Sequence, residues 1–224
     1  MLLKFLGHAC FYLEFDRTKI IVDPFLKGNP QAMMSPEEVT CDWVLVSHGH
    51  GDHLGDAVQI AGQNDATIIT IPELAHYCAD KGVKAHGMYI GGKHSFGNFT
   101  VKLTLALHGS SMGTQYLGNP CGFLIFAGGK TIYYSGDTGL FGDMALISRL
   151  HPIDLAVLPI GDNYTMGPED ALEAVKMLKP KKVIPVHYNT WDLIKQDPQQ
   201  FKTEVEAKTG VPVQVLRPGE TYTL

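Results

Sequence analysis

Ser47-His48-Gly49-His50-Gly51-Asp52-His53 follows directly on the apolar run Trp43-Val44-Leu45-Val46. That run is short, continuous and bounded by polar residues, which predicts a buried strand with the histidine-rich segment at its carboxyl end. Four side chains able to ligate a metal, His48, His50, Asp52 and His53, fall within six residues. Alternate residues of an extended segment point the same way, so His48 and His50 can share one ion. A turn after them aims Asp52 and His53 elsewhere and leaves room for a second metal position, where the carboxylate oxygen favours a harder environment. No cysteine lies close enough to build a zinc finger, and the helical His-Glu-x-x-His pattern is absent.

Working outward, two apolar runs at 10–15 and 19–22 flank Asp16-Arg17-Thr18 and read as strand, tight turn and strand. Downstream of the motif, the pattern predicts a helix over 54–62, a strand over 67–71 and a helix over 73–81 that Gly82 ends. Val101, Leu103 and Leu105 alternate with Lys102 and Thr104, the period of a half-buried strand, and that strand leads to His108. Runs at 123–127 and 131–134 flank Gly128-Gly129-Lys130, a hairpin signal whose second strand leads to Asp137. Helices are expected over 144–150, 168–178 and 198–208, and strands over 155–160, 183–186 and 213–216. The strand at 183–186 leads to His187. His108, Asp137 and His187 thus each come after an apolar strand, and strand ends on one rim of an α/β domain converge.

The two halves each run from strands into alternating strands and helices, which predicts two sheets packed face to face with helices outside. No repeat, low-complexity tract or linker separates them, so residues 1–224 read as one domain. A formal net charge of -5 and scattered lysines and arginines disfavour a nucleic-acid partner. No window approaches the roughly 18 apolar residues of a membrane span, and the apolar start breaks at Gly7 and His8, too early for a signal-peptide core. Cys10, Cys41, Cys78 and Cys121 are widely spaced and read as buried, reduced thiols. Together these features predict a cytoplasmic protein acting on a small molecule, with no membrane partner.

Ser47 to His53, then His108, then Ser135-Gly136-Asp137-Thr138, then Pro185-Val186-His187 stand in the order found in the metallo-β-lactamase superfamily, which the chain resembles over essentially its whole length. The resemblance implies an α/β fold, a four-layer αββα sandwich. It implies a first metal held by His48, His50 and His108, a second by Asp52, His53 and His187, and Asp137 bridging the two. Gly7-His8-Ala9-Cys10, Asp23-Pro24 and Gly161-Asp162-Asn163-Tyr164-Thr165-Met166-Gly167 are similar to a compact branch described as metal-dependent hydrolases and related to ascorbate-6-phosphate lactonase.

In function, the resemblance implies a hydrolase of a small ester, lactone or phosphodiester. Two divalent ions, zinc by the histidine-rich set, or manganese, iron or nickel, would share a water whose hydroxide is the nucleophile. Asp52 would shuttle a proton, and His8 would protonate a leaving group or bind a substrate oxygen. Asp162 and Thr165 would line the substrate pocket, and Asp23 would either accept a hydrogen bond from a ligand histidine or form a turn with Pro24. Asn189 and Trp191 are further pocket candidates. The alternatives are an RNA-processing phosphodiesterase, which the charge and the lack of an inserted domain oppose, and a catalytically silent metal-binding module, for which a missing ligand would be the sign. A flavin-linked di-iron enzyme of this fold would need an acidic residue near position 50, where the chain has His50.

Overall fold

A computed structural model describes residues Met1–Leu224. The first sheet gathers β1 (Leu2–Gly7), β2 (Cys10–Phe15), β3 (Thr18–Val22), β4 (Trp43–Leu45), β5 (Thr67–Thr70) and β6 (Lys84–Gly87). The second gathers β7 (Lys93–Ser95), β8 (Phe99–Leu105), β11 (Cys121–Ala127), β12 (Lys130–Tyr134), β13 (Leu155–Pro159) and β14 (Val183–Val186); β9 (Ser111–Met112) and β10 (Gln115–Tyr116) pair by themselves as a hairpin. The last strand, β15 (Thr221–Thr223), returns to the first sheet, whose order is β15-β1-β2-β3-β4-β5-β6; the second runs β14-β13-β12-β11-β8-β7. Six helices complete the chain: α1 (Gly51–Leu54), α2 (Ala57–Asn64), α3 (Pro72–Asp80), α4 (Met144–Leu150), α5 (Pro168–Leu178) and α6 (Pro198–Thr209).

Alternation along the strands creates the layers. In β11, Phe123 and Ile125 join the core between the sheets while Leu124 packs outward; in β12, Ile132 and Tyr134 face inward and Tyr133 outward. β13 repeats this, with Leu155 and Val157 inside and Ala156 and Leu158 outside. Side chains on a strand alternate faces, so strands apolar on both faces need a cover on each. The inner cover is the first sheet, through Phe11, Leu13, Val22 and Leu45, which share one face by register. The outer cover is α5 and α6, through Leu172, Val175, Phe201 and Val205. On the far side, Ile60 of α2 and Leu74 of α3 close the first sheet. The result is the four-layer αββα sandwich expected for the superfamily. No helix is long and apolar enough to cross a membrane.

Two expectations change. The closing strand expected at 213–216 is only a single bridge between Val213 and Val183, and β15 closes the first sheet instead, pairing antiparallel with β1. The bridge consists of the Val183 N–H donating to the Pro212 carbonyl and the Gln214 N–H donating to the Val183 carbonyl, and the chain then goes on to the first sheet. The helix expected at 54–62 is two helices, α1 and α2, parted at Gly55, whose positive φ of 41° breaks the helical path and where a Cβ would run into the Pro24 carbonyl.

Candidate active site

The site forms where β4, β8, β12 and β14 end, joined by the β1–β2 turn that carries His8. After β4 the chain stays extended through His50, which has φ -68° and ψ 151° and stands at the start of α1. His48 and His50 therefore project to one side, and the α1 turn carries Asp52 and His53 to another. Gly49 between them is required by space, since a Cβ there would lie 2.6 Å from Leu117 Cδ1 and 2.8 Å from its Cβ. Gly136, before Asp137, sits at φ +62°, where a Cβ would come within 2.6 Å of the Cys121 carbonyl oxygen.

Three imidazole nitrogens converge in the first group. His48 Nε2 lies 2.9 Å from His50 Nδ1, which lies 3.2 Å from His108 Nε2. In the second, Asp52 Oδ2 stands 3.8 Å from His53 Nε2 and 3.7 Å from His187 Nε2. Asp137 Oδ2 lies 3.0 Å from His187 Nε2, 3.2 Å from His53 Nε2 and 3.6 Å from His108 Nε2, so one carboxylate oxygen faces both groups. The structure therefore brings together all seven side chains that the resemblance marks as ligands.

Around them, Asp23 sets the direction of two rings. It is fully buried and accepts from the Ser47 N–H at 2.7 Å, the Ser47 hydroxyl at 2.6 Å, the Tyr134 hydroxyl at 2.6 Å and His53 Nδ1 at 2.7 Å. A carboxylate only accepts, so His53 carries its proton on Nδ1 and turns the Nε2 lone pair into the site. The single Ser47 hydroxyl proton goes to Asp23. His48 Nδ1, 3.0 Å away, must then donate to the Ser47 oxygen, and its Nε2 is likewise left free to ligate.

The charges point the same way. Burial by itself would lower the His187 pKa, but the Asp137 carboxylate and its hydrogen bond raise it to about 9. His53 is also pushed well up: burial opposes its charge, and Asp137, Asp23 and Asp52 outweigh the burial. Burial would raise Asp137, but His187 and His53 hold it well below the usual carboxylate range. Buried His48 is driven well below its ordinary value, by desolvation and then by His53. Asp137 and Asp52 thus set negative charge against His53 and His187, while His48 stays neutral.

Metal ions are what this donor set fits. His53 Nε2 is buried, faces the centre and has no hydrogen-bond partner. A tetrahedral ion with nitrogen ligands at about 2.0–2.1 Å places those ligands about 3.3 Å apart, close to the 2.9 and 3.2 Å spacings at His48, His50 and His108. Imidazole and carboxylate donors suit zinc and its neighbours among the transition metals.

Residues 2–187 match the family model for the Beta-lactamase superfamily domain. The chain belongs to the metallo-β-lactamase superfamily. It is a metal-dependent hydrolase, and its relatives carry that description: a UPF0173 metal-dependent hydrolase of Pelotomaculum thermopropionicum is 62% identical, with both chains covered in full. Another, from Thermococcus kodakarensis, is 50% identical over 99% of this chain and 98% of its own. Among solved structures, the metallo hydrolase Igni18 of Ignicoccus hospitalis superposes with a TM-score of 0.92 at 37% identity, covering 100% of this chain and 98% of that one.

The remaining expectations of this hydrolase fall out unevenly. His8 reaches the centre: its Nε2 lies 3.1 Å from Asp52 Oδ2 and its Nδ1 2.7 Å from the Thr190 hydroxyl. It is fully buried and lies behind Asp52, not on the open cleft. Burial lowers its pKa to about 4, despite the hydrogen bond to Asp52, so it is neutral near pH 7. Asp162 does not line the metal-facing cleft; it lines a neighbouring one beside Gly167 and the start of α6, because φ +62° turns its carboxylate back onto the Asn163 N–H. Thr165 donates its hydroxyl to the Met166 carbonyl and is absent from the cleft wall. Asn189 is spent on the Gln196 N–H. The wall contains Trp191, a candidate from the sequence, together with Tyr164 and Phe25, which are not among the candidates. Sequence signals existed for two of these, since Tyr164 sits in the same Gly-bounded loop and Phe25 comes directly after Asp23-Pro24. Thr190 carries no motif and is found only through its contact with His8.

Proposed function

We propose that this chain is a single-domain hydrolase in which two divalent ions, zinc by the donor set, act together on a small ester, lactone or phosphodiester. The observation that carries the reading is Asp137 Oδ2, which stands within 3.6 Å of ligand nitrogens from both groups. His48, His50 and His108 would hold one ion, Asp52, His53 and His187 the other, with Asp137 shared. Ions bound there would supply a water acidified toward neutral pH and positive charge opposite the negative charge that develops during hydrolysis.

The chain's own residues do the rest. Asp23 holds the Nδ1 proton of His53 and, through Ser47, orients His48, so the Nε2 atoms of both rings already face the centre. Neutral His8 donates from Nε2 to Asp52 Oδ2 while the Thr190 hydroxyl donates to Nδ1, which holds Asp52 in place and makes His8 a positioning residue. Asp52, partly open to the cleft, is the carboxylate placed to accept a proton from the attacking water and pass it to the leaving group. A relation to ascorbate-6-phosphate lactonase, which the sequence motifs suggest, would enter this reading as a shared hydrolytic chemistry, not as a shared substrate.

The test is a hydrolysis screen of the remetallated protein over carboxylic ester, lactone and phosphodiester substrates, with His48→Ala and Asp137→Ala as controls. Turnover in at least one class that drops by about a hundredfold or more in both variants is expected. Turnover unchanged in both places the chemistry elsewhere.

A further inference from the structure

The cleft over the metal-facing side chains has a volume of about 560 Å³ and is lined by nine residues. That volume is ordinary for a small-molecule site. Apart from side chains of the metal-facing group and Gly51, its wall is Phe25, Tyr164 and Trp191, and it contains no lysine or arginine. Trp191 is 41% exposed and Tyr164 51% exposed, although both are large and aromatic. Trp191 is nevertheless held in place, its ring 4.9 Å from His8 and 6.1 Å from Phe25.

Resting on the dinuclear hydrolase reading, we infer that the substrate is an uncharged carboxylic ester or lactone bearing a planar apolar group, which stacks on Trp191, Phe25 and Tyr164. Exposed aromatic rings gathered at a catalytic mouth provide stacking area at little entropic cost. A phosphate or carboxylate carried on the substrate away from the scissile bond would need a cationic side chain or several converging donors to replace its water, and outside the metal-facing group the wall offers no lysine or arginine and only the Tyr164 hydroxyl and the Trp191 indole N–H. The reaction is ordinary hydrolysis: the water oxygen forms a new bond to the acyl carbon, the acyl–oxygen bond breaks, and its electron pair leaves on the alcohol oxygen. That oxygen takes up a proton, giving a carboxylic acid and an alcohol.

A matched pair of substrates tests this. Benzyl acetate and para-(acetoxymethyl)benzoate share one scissile bond and differ by a single anionic group; ethyl acetate lacks the ring. The expected kcat/KM of the remetallated enzyme is highest for benzyl acetate, at least tenfold above both others. Trp191→Ala is expected to raise KM for benzyl acetate about tenfold and to remove most of its advantage over ethyl acetate. A binding readout is independent of turnover: in the Trp43→Phe background Trp191 is the sole tryptophan, and the ketone isostere of benzyl acetate is expected to quench its fluorescence saturably. Equal or better turnover of the benzoate, or no quenching, overturns the inference while the hydrolase reading stands. Failure of all three esters together with phosphodiesters and lactones overturns the hydrolase reading itself.

Discussion

Asp23 Oδ2 lies 2.7 Å from His53 Nδ1, both fully buried, and this contact decides which nitrogen of His53 faces the centre. Asp23 is in a left-handed backbone conformation, φ 44°, just past β3, and it takes three further hydrogen bonds from Ser47 and Tyr134. It is the residue through which the first sheet fixes the site.

Asp23→Asn keeps the size of the side chain but replaces one acceptor oxygen with a donor. Carboxylates behind ligand histidines typically contribute a factor of 10 to 100 in metal affinity, and a loss of about that size is expected here. Competition against a chelator of known strength measures it; affinity within threefold of wild type would show that the tautomer is set by something else.

Metal uptake is expected to release protons. In the ion-free protein His187 titrates at about 9, raised by Asp137 against the effect of burial, so it is protonated at pH 7 and must give up that proton to ligate. The same shift links to stability. Its protonated pairing with Asp137 supports the ion-free fold fully below the ordinary 6.5 and is lost as pH rises through about 9. Calorimetric titration at pH 7 in buffers of different ionisation enthalpy is expected to show at least one proton released per chain. A binding enthalpy independent of buffer is the opposing result.

His8→Ala removes the donor to Asp52 Oδ2 and leaves the Thr190 hydroxyl without its buried partner. The expected outcome is about tenfold weaker binding of one of two ions, with the other unaffected, because His8 bonds Asp52 and packs its ring against His187, 4.1 Å between centroids, and both belong to the same ligand group. His8→Gln retains an amide donor and is expected to recover part of the loss. Stepwise metal titration followed by a visible cobalt spectrum separates the two positions, and equal weakening of both would show a general collapse.

Gly136→Ala places a Cβ at φ +62° and 2.6 Å from the Cys121 carbonyl oxygen, directly before Asp137. A destabilisation of roughly 2 kcal/mol or more is expected, from the strained backbone and the close approach to β11. Thermal unfolding of the ion-free protein reads the stability cost apart from any loss of metal.

Much of this was legible in the sequence because the ligand segments follow strands whose apolar runs are unmistakable: 43–46 before the His48–His53 segment, 131–134 before Asp137 and 183–186 before His187. What the sequence hid depends on distant pairing or on local backbone direction. β15 is three residues, Thr221, Tyr222 and Thr223, with little apolar signal, and it forms because β1 offers an open edge. β6 reads Lys84-Ala85-His86-Gly87 and is a strand only because β5 lies beside it. Asp162 and Tyr164 sit two positions apart in one loop, yet the backbone at 162 turns the acid toward the neighbouring cleft and leaves the tyrosine on the wall beside His50, His108 and His187.

The two-ion centre is tested most directly by elemental analysis of protein stripped with chelator, reloaded with excess zinc and freed of unbound metal, alongside His108→Ala and His187→Ala. Two ions per chain in the wild type and one in each variant are expected, since the variants lie in different ligand groups. Saturation of the wild type at a single ion per chain would contradict the dinuclear site.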